Sequence, residues 1–261
     1  MLSISHIKKV FNPGTLNEKT AIADLSIEIN NGDFVTVIGA NGAGKSTLFA
    51  AISGDFLTDS GSIVLDGEDI TLTPAHERAR YIGRLFQDPM KGSAPGMTIE
   101  ENLALASGKG GWLSVVSKKE KNDFRERLAS LDMGLEDRMQ QPVGLLSGGQ
   151  RQAITLLMAT FNPPKLLLLD EHTAALDPGT AEKVLALTEE IVRDNKLTCL
   201  MITHNMLSAL SMGNRTIMMD EGNILYDLSG NEREGLGVSD LTDMFRQSKG
   251  RDLDNDRMLF L

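Results

Sequence analysis

The sequence predicts an α/β fold built on a mostly parallel sheet. Three observations carry that expectation. From residue 147 onward, helix-patterned and strand-patterned stretches alternate, the order in which a chain lays down parallel strands and their covering helices. Three stretches, FVTVIG at 34–39, KLLLLD at 165–170 and LTCLMIT at 197–203, are apolar at successive positions, as strands covered on both faces are. The first of them runs straight into GANGAGKST, residues 39–47, and a helix-like stretch follows that loop. At 261 residues the chain is long enough to bury a sizeable core.

Taken in order, ADLSIEIN (23–30) places Leu25, Ile27 and Ile29 against Asp24, Ser26, Glu28 and Asn30. That period of two predicts a half-buried strand. NNG at 30–32 turns the chain into the apolar strand 34–39. In GSIVLDGEDI (61–70), Asp66-Gly67 is a hairpin turn between apolar flanks. Between residues 88 and 146 the character changes. Pro89, Pro95, Gly96 and a GKGG break at 108–111 precede the charged helical run SKKEKNDFRERLASL, which reads as an inserted helical subdomain. Ala153, Ile154, Leu157, Met158 and Phe161 then share one helical face, and NPP at 162–164 ends that helix. Val184, Leu187, Thr188 and Ile191 mark a second helical face, and MMDEGNILYD a late hairpin. The expected division is a core of 1–87 and 147–227, a helical subdomain of 88–146, and a polar tail of 228–261 rich in Asp and Arg.

Composition narrows the functions. A net charge of −10 disfavours tracking a phosphate backbone, so nucleic acid is not an expected partner. The one cysteine, Cys199, lies in an apolar strand and reads as a small buried residue of a reducing compartment. No apolar run approaches the ~20 residues that cross a bilayer. The N-terminal MLSISHIKKV lacks the long apolar stretch of a secretory signal. The expected location is the cytosol, with any link to a membrane made through a partner.

The chemistry starts at the glycine loop, which fits G-x-x-x-x-G-K-[ST] between a strand and a helix. Gly39, Gly42 and Gly44 allow a tight turn and close approach to phosphate oxygens. The helix start offers N–H groups and a positive dipole end. Lys45 adds a point charge for the β- and γ-phosphates, and Ser46 a hydroxyl for Mg2+. Asn41, Ala43 and Thr47 complete the expected phosphate-binding loop. Asp170 ends a buried strand, where a parallel sheet delivers side chains to its ligand edge. It is the expected metal partner of the loop, and Glu171 beside it can polarise the attacking water.

A second glycine pair stands in LSGGQ, residues 146–150. Ser147 and Gln150 fit a capping box, a purely structural reading. Two glycines in a first turn lower helix propensity, so Gly148 and Gly149 point to something brought very close to the backbone. LSGGQ is the signature motif of the ATP-binding-cassette family, which the sequence strongly resembles over nearly its whole length. The phosphate loop, Gln87, Ser147, Asp170 and His204 occur in that family's order.

The resemblance implies a P-loop NTPase core with an N-terminal antiparallel β-subdomain and an inserted helical subdomain. It implies two cassettes paired head to tail, with Ser147, Gly148, Gly149, Gln150 and Asp177 of one reaching the ATP held by the other. It implies that Phe11 stacks on adenine, where relatives more often carry tyrosine. It implies that Gln87 senses Mg2+ with Ser46 and Asp170, and that Glu171, His204 and Lys45 serve hydrolysis. Asp177 can equally be an N-cap before Pro178. His172, where many relatives have proline, is expected to be an exposed loop residue. The implied function is to power solute import through a separate permease at the cytoplasmic face of the membrane, with an extracytoplasmic solute-binding protein in the same system. FNPGTLNEK, ARYIGRLFQDP and DEHTAALDP resemble a bacterial subgroup linked to amino-acid uptake, including tryptophan- or tyrosine-type systems. The alternative is a soluble cassette serving a non-transport complex such as iron–sulfur assembly.

Overall fold

The computed structural model describes residues 1–108 and 116–249, so most of the GKGG break and the last twelve residues lie outside the described residues. The chain divides into two units, Met1–Ile82 with Lys196–Leu261, and Gly83–Asn195.

The first unit opens with β1 (Leu2–Phe11), β2 (Lys19–Ile29) and β3 (Phe34–Gly39). In β2 the alternation holds: Leu25, Ile27 and Ile29 are buried, and Asp24, Ser26 and Glu28 are exposed. β3 is buried along its whole length, Thr36 included, as a strand covered on both faces is. Helix α1 (Lys45–Ser53) follows the glycine loop. Strand β4 (Ser60–Leu65) turns back through Asp66-Gly67 into β5 (Glu68–Asp69), with Leu65 paired to Glu68. Both turn residues have positive φ, 52° and 80°, the backbone of the short hairpin turn read from the sequence. Together β2, β1, β4 and β5 form a four-stranded antiparallel sheet, the expected N-terminal β-subdomain. The short helix α2 (Ala75–Arg78) closes this segment.

The second unit begins at Gly83, within β6 (Ile82–Leu85). Helices α3 (Ile99–Ala106) and α4 (Lys118–Ala129) each start with a complete capping box, Thr98 with Glu101 and Ser117 with Glu120. Helix α5 (Gly148–Thr160) buries Ala153, Ile154, Leu156 and Leu157. Strand β7 (Leu166–Asp170) is buried until Asp170, and α6 (Pro178–Asp194) buries Val184, Leu187, Thr188 and Val192.

The chain then returns to the first unit with β8 (Cys199–Ile202), α7 (Met206–Ser211), β9 (Arg215–Asp220) and β10 (Asn223–Ser229). Strand β3 lies between β8 and β9 and is parallel to both, while β10 pairs antiparallel with β9. Cys199 is fully buried, and burial pushes its thiol well above the usual range.

The tail holds more order than its polar composition suggested. Helix α8 (Val238–Lys249) buries Leu241 and Phe245 in a cluster with Ile38, Ala40, Ala209, Met218 and Leu228. Its apolar residues recur at helical spacing and cover the first unit's sheet.

Candidate functional site: a phosphate cradle and a second glycine helix start

In the first unit the glycine loop is shaped by close contacts. Gly39 has φ 152°, and a Cβ there would stand 2.2 Å from the Met219 carbonyl oxygen. A Cβ on Gly44, with φ 100°, would stand 2.6 Å from the Ala21 oxygen. No side chain caps the start of α1, so its first N–H groups face the loop they would share with phosphate oxygens. Lys45 is 5% exposed, and its Nζ donates to the Gly39 and Ala40 carbonyls at 2.7 and 3.1 Å. Those bonds hold the ammonium over the loop. Asn41, Gly42 and Ser46 are exposed, Ala43 is buried and Thr47 is half-buried.

His204 stands at the same edge of the sheet. Val37 of β3 pairs with Ile202 of β8, and each strand ends within two residues of that pair. The glycine loop and His204 therefore leave the C-terminal ends of neighbouring parallel strands, where open α/β sheets bind ligands. Phe11 is half-buried at the end of β1 and packs edge-on against Phe56, with ring centroids 5.4 Å apart.

In the second unit, Gln87 is exposed just after β6, and Asp170 ends β7 half-buried. Glu171 has φ 46°, in the left-handed region that non-glycine residues adopt uncommonly and that His6, Asn12, Asp66, Asp132, Lys196 and Glu221 also occupy. At the next residue the sequence reading needs correction. His172 is not an exposed loop residue; it is 3% exposed, with Nε2 3.1 Å from Thr188 Oγ1 of α6. The Thr188 hydroxyl donates to the Val184 carbonyl at 2.7 Å, which leaves its lone pairs to accept from an Nε2–H. Burial holds the ring neutral and lowers its pKa to about 4. The signal was present in the sequence: Thr188 is a polar residue on the buried face of α6, and a buried hydroxyl needs a partner.

The LSGGQ segment forms the predicted capping box. Gln150 N–H donates to Ser147 Oγ, and Ser147 N–H to Gln150 Oε1, both at 3.3 Å. Ser147 is exposed. The two glycines differ. A Cβ on Gly148 would lie 3.0 Å from Leu176 Cδ2, a flexible methyl. One on Gly149 would lie 2.1 Å from Thr180 Cγ2, in the first turn of α6. Gly149 therefore has a reason inside its own chain that sequence reading missed. Asp177 is the N-cap of α6, accepting from the Thr180 N–H at 3.1 Å, and its bonds to Thr180 hold its carboxyl below the usual range. The second unit thus brings the LSGGQ helix start and Asp177 together through Gly149 and Thr180. A charged cleft of about 710 Å³ beside α4, lined by Glu100, Lys121, Arg125, Glu136 and Arg138 among others, includes none of the predicted nucleotide residues.

Among the described residues, no cluster of three or more His, Cys, Asp or Glu could hold a metal. Mg2+ fits the donors that are present, because it keeps several waters and needs only one or two protein oxygens beside phosphate oxygens. Among the described residues no helix is long and apolar enough to cross a membrane.

A strand, a glycine loop and a helix start with a buried lysine define a nucleoside-triphosphate-binding protein. The ABC transporter family model matches residues 22–174. A tyrosine transport ATP-binding protein of Clostridioides difficile is 42% identical over 94% of this chain and 98% of its own length. A spermidine/putrescine import ATP-binding protein of Haemophilus influenzae is 35% identical over 90% of this chain, which spans only 59% of that relative. The dimeric post-hydrolysis state of an ATP-binding cassette bound to ADP and Pi superposes with TM-score 0.75 at 25% identity, covering 88% of this chain and 98% of that one. The chain belongs to the ABC transporter family, and its place there is that of the ATP-binding, ATP-hydrolysing cassette.

Proposed function

We propose that this chain is the ATPase subunit of an importer and drives a small solute, an amino acid of the tyrosine type, through a separate membrane permease. The observation that carries this reading is the 42% identity to a tyrosine transport ATP-binding protein along nearly the full length of both chains. The non-transport alternative gains no support from these relatives, one of which is named a transport and the others import ATP-binding proteins. In this reading the chain sits at the cytoplasmic face of the membrane, held by the permease, and an extracytoplasmic solute-binding protein delivers the cargo.

Residues 88–146 act as the helical subdomain that meets the permease. Met90, Leu105 and Leu145 support this, because they are large apolar side chains left exposed in that stretch. A second cassette, a copy of this chain, completes the site. The Ser147 helix start and Asp177 of one copy close over the triphosphate cradled by Gly39–Thr47 of the other, with Phe11 against the adenine.

Within each site the residues divide the work. The N–H groups of the loop and of α1 bind phosphate oxygens, and Lys45 neutralises the β,γ-bridge region. Ser46 and Asp170, with Gln87, would hold Mg2+, which when bound would supply positive charge to offset that of the triphosphate. Glu171 orients and polarises the attacking water, and His204 donates to the γ-phosphate as charge develops.

Glu171→Gln tests the reading. It keeps the shape and one acceptor oxygen but removes the base, so ATP binding persists while turnover nearly stops and a closed dimer accumulates on size-exclusion chromatography with ATP. Wild-type hydrolysis by that variant would remove Glu171 from the mechanism.

A further inference from the structure

Arg233 lies in the tail, and nothing in the nucleotide chemistry uses it. Its guanidinium is nonetheless heavily engaged. Nε donates to Thr216 Oγ1 at 2.9 Å and Nη1 to the Gly213 carbonyl at 2.8 Å. Nη2 donates to the carbonyls of Ala209 and Leu210 at 3.0 and 2.8 Å, and the Met212 carbonyl is also within reach. Among the described residues it has no carboxylate partner.

Three of these acceptors belong to one place. Helix α7 ends at Ser211, so the carbonyls of Ala209, Leu210 and Met212 are among those its last turn leaves without an N–H donor. A cation that fans its donors over them caps the helix and opposes its dipole. The Ala209 carbonyl also faces Thr36 Oγ1 of β3 at 2.9 Å and Thr216 Oγ1 of β9 at 3.1 Å. Arg233 thereby ties the end of α7 into a buried polar network on the sheet.

The other end of α7 is held by the same tail. Met206 and Leu210 pack against the cluster that contains Leu241 and Phe245 of α8, and Thr242 Oγ1 lies 3.7 Å from Met206 Sδ. The cluster includes Ala40 of the phosphate loop. Helix α7 is six residues long, a rod of about 9 Å. Its N-cap is Asn205, the residue after His204.

We propose that Arg233 is a positioning residue for His204: by clamping the C-terminal end of α7 it fixes the loop at the other end and with it the imidazole that meets the γ-phosphate. The inference rests on the role assigned to His204 above.

A double-mutant cycle on the full-length chain tests it, with kcat, KM for ATP, affinity for a non-hydrolysable ATP analogue and thermal midpoint measured for each variant. Displacing a reacting group by about 1 Å costs up to about a hundredfold, so Arg233→Met is expected to lower kcat about ten- to hundredfold, with analogue affinity within about twofold. In a His204→Ala background the same substitution is expected to change kcat less than about twofold, because coupled residues are non-additive. Arg233→Lys, which keeps the charge with fewer donors, falls between, and carries the same cycle if the methionine variant does not fold. Equal loss in both backgrounds overturns the proposal, because Arg233 then acts on the fold at large. So does a near-wild-type rate for Arg233→Met beside a crippled His204→Ala. If His204→Ala itself keeps near-wild-type kcat, the role of His204 fails and the clamp fails with it.

Discussion

Gly149→Ala separates two reasons for the signature glycines. The added Cβ would fall 2.1 Å from Thr180 Cγ2, far inside van der Waals contact, while Thr180 Cβ is 3.6 Å away and tolerates it. The clash is thus with a single methyl group. Overpacking of this kind costs about 1–3 kcal/mol, and alanine returns up to about 1 kcal/mol of helix propensity, so a net loss of about 1–2 kcal/mol is expected. Thr180 is held in place by its N–H bond to Asp177, so the strain is not relieved by a free swing of the chain. At this size 1 kcal/mol moves the thermal midpoint by about 2–4 °C, which calorimetry reads easily. Thr180→Ser removes only the offending methyl. The pair Gly149→Ala with Thr180→Ser is therefore expected to recover the wild-type midpoint and ATPase rate. If the pair remains as destabilised as Gly149→Ala alone, the contact with Thr180 is not why glycine stands there.

Three further outcomes follow from other parts of the structure. Thr188→Val removes the hydroxyl that the buried His172 Nε2–H uses, and an unsatisfied buried donor costs about 1–3 kcal/mol, read as a lower urea midpoint at pH 7.5. Because burial lowers the folded-state pKa of His172 from 6.5 to about 4, the unfolded chain takes the proton first as pH falls. Its contribution is intact above about pH 6.5 and is lost down to about pH 4, amounting to about 2 kcal/mol between pH 7 and pH 5. His172→Gln, measured with chelator in the same urea series, should lose that part of the acid sensitivity; an unchanged slope would refute it. Arg78 is 1% exposed and donates to the Ala51, Ile52, Thr71 and Thr73 carbonyls. Arg78→Met strands those acceptors beneath the end of α1, and a loss of at least about 2 kcal/mol is expected in the same unfolding assay.

Much of the site was legible because its chemistry is local. The glycine loop needs positive φ at 39, 42 and 44, and at 39 and 44 it also brings backbone too close for a Cβ, so glycine stands at each. Asp170 could be placed because four apolar residues precede it, and a strand buried on both faces must end where a charge appears. Asp66-Gly67 announced its turn through the backbone it demands. Other features resisted for a common reason. His172 looked like a loop residue because its partner, Thr188, lies a helix away. Gly149 invited a ligand because Thr180 is thirty-one residues distant in the chain and adjacent only after α5 and α6 pack.

The sequence by itself determined the strand and helix periods, the phosphate loop, the acidic strand end and the Ser147–Gln150 capping box, because each is set by backbone geometry within a few residues. Tertiary structure alone decided that His172 is buried and neutral, that Gly149 makes room for Thr180, and that the polar tail folds back through Arg233, Leu241 and Phe245 onto α7. Those outcomes depend on which surfaces are brought within a few ångströms of one another, and burial and hydrogen-bond satisfaction are settled only once the chain has packed.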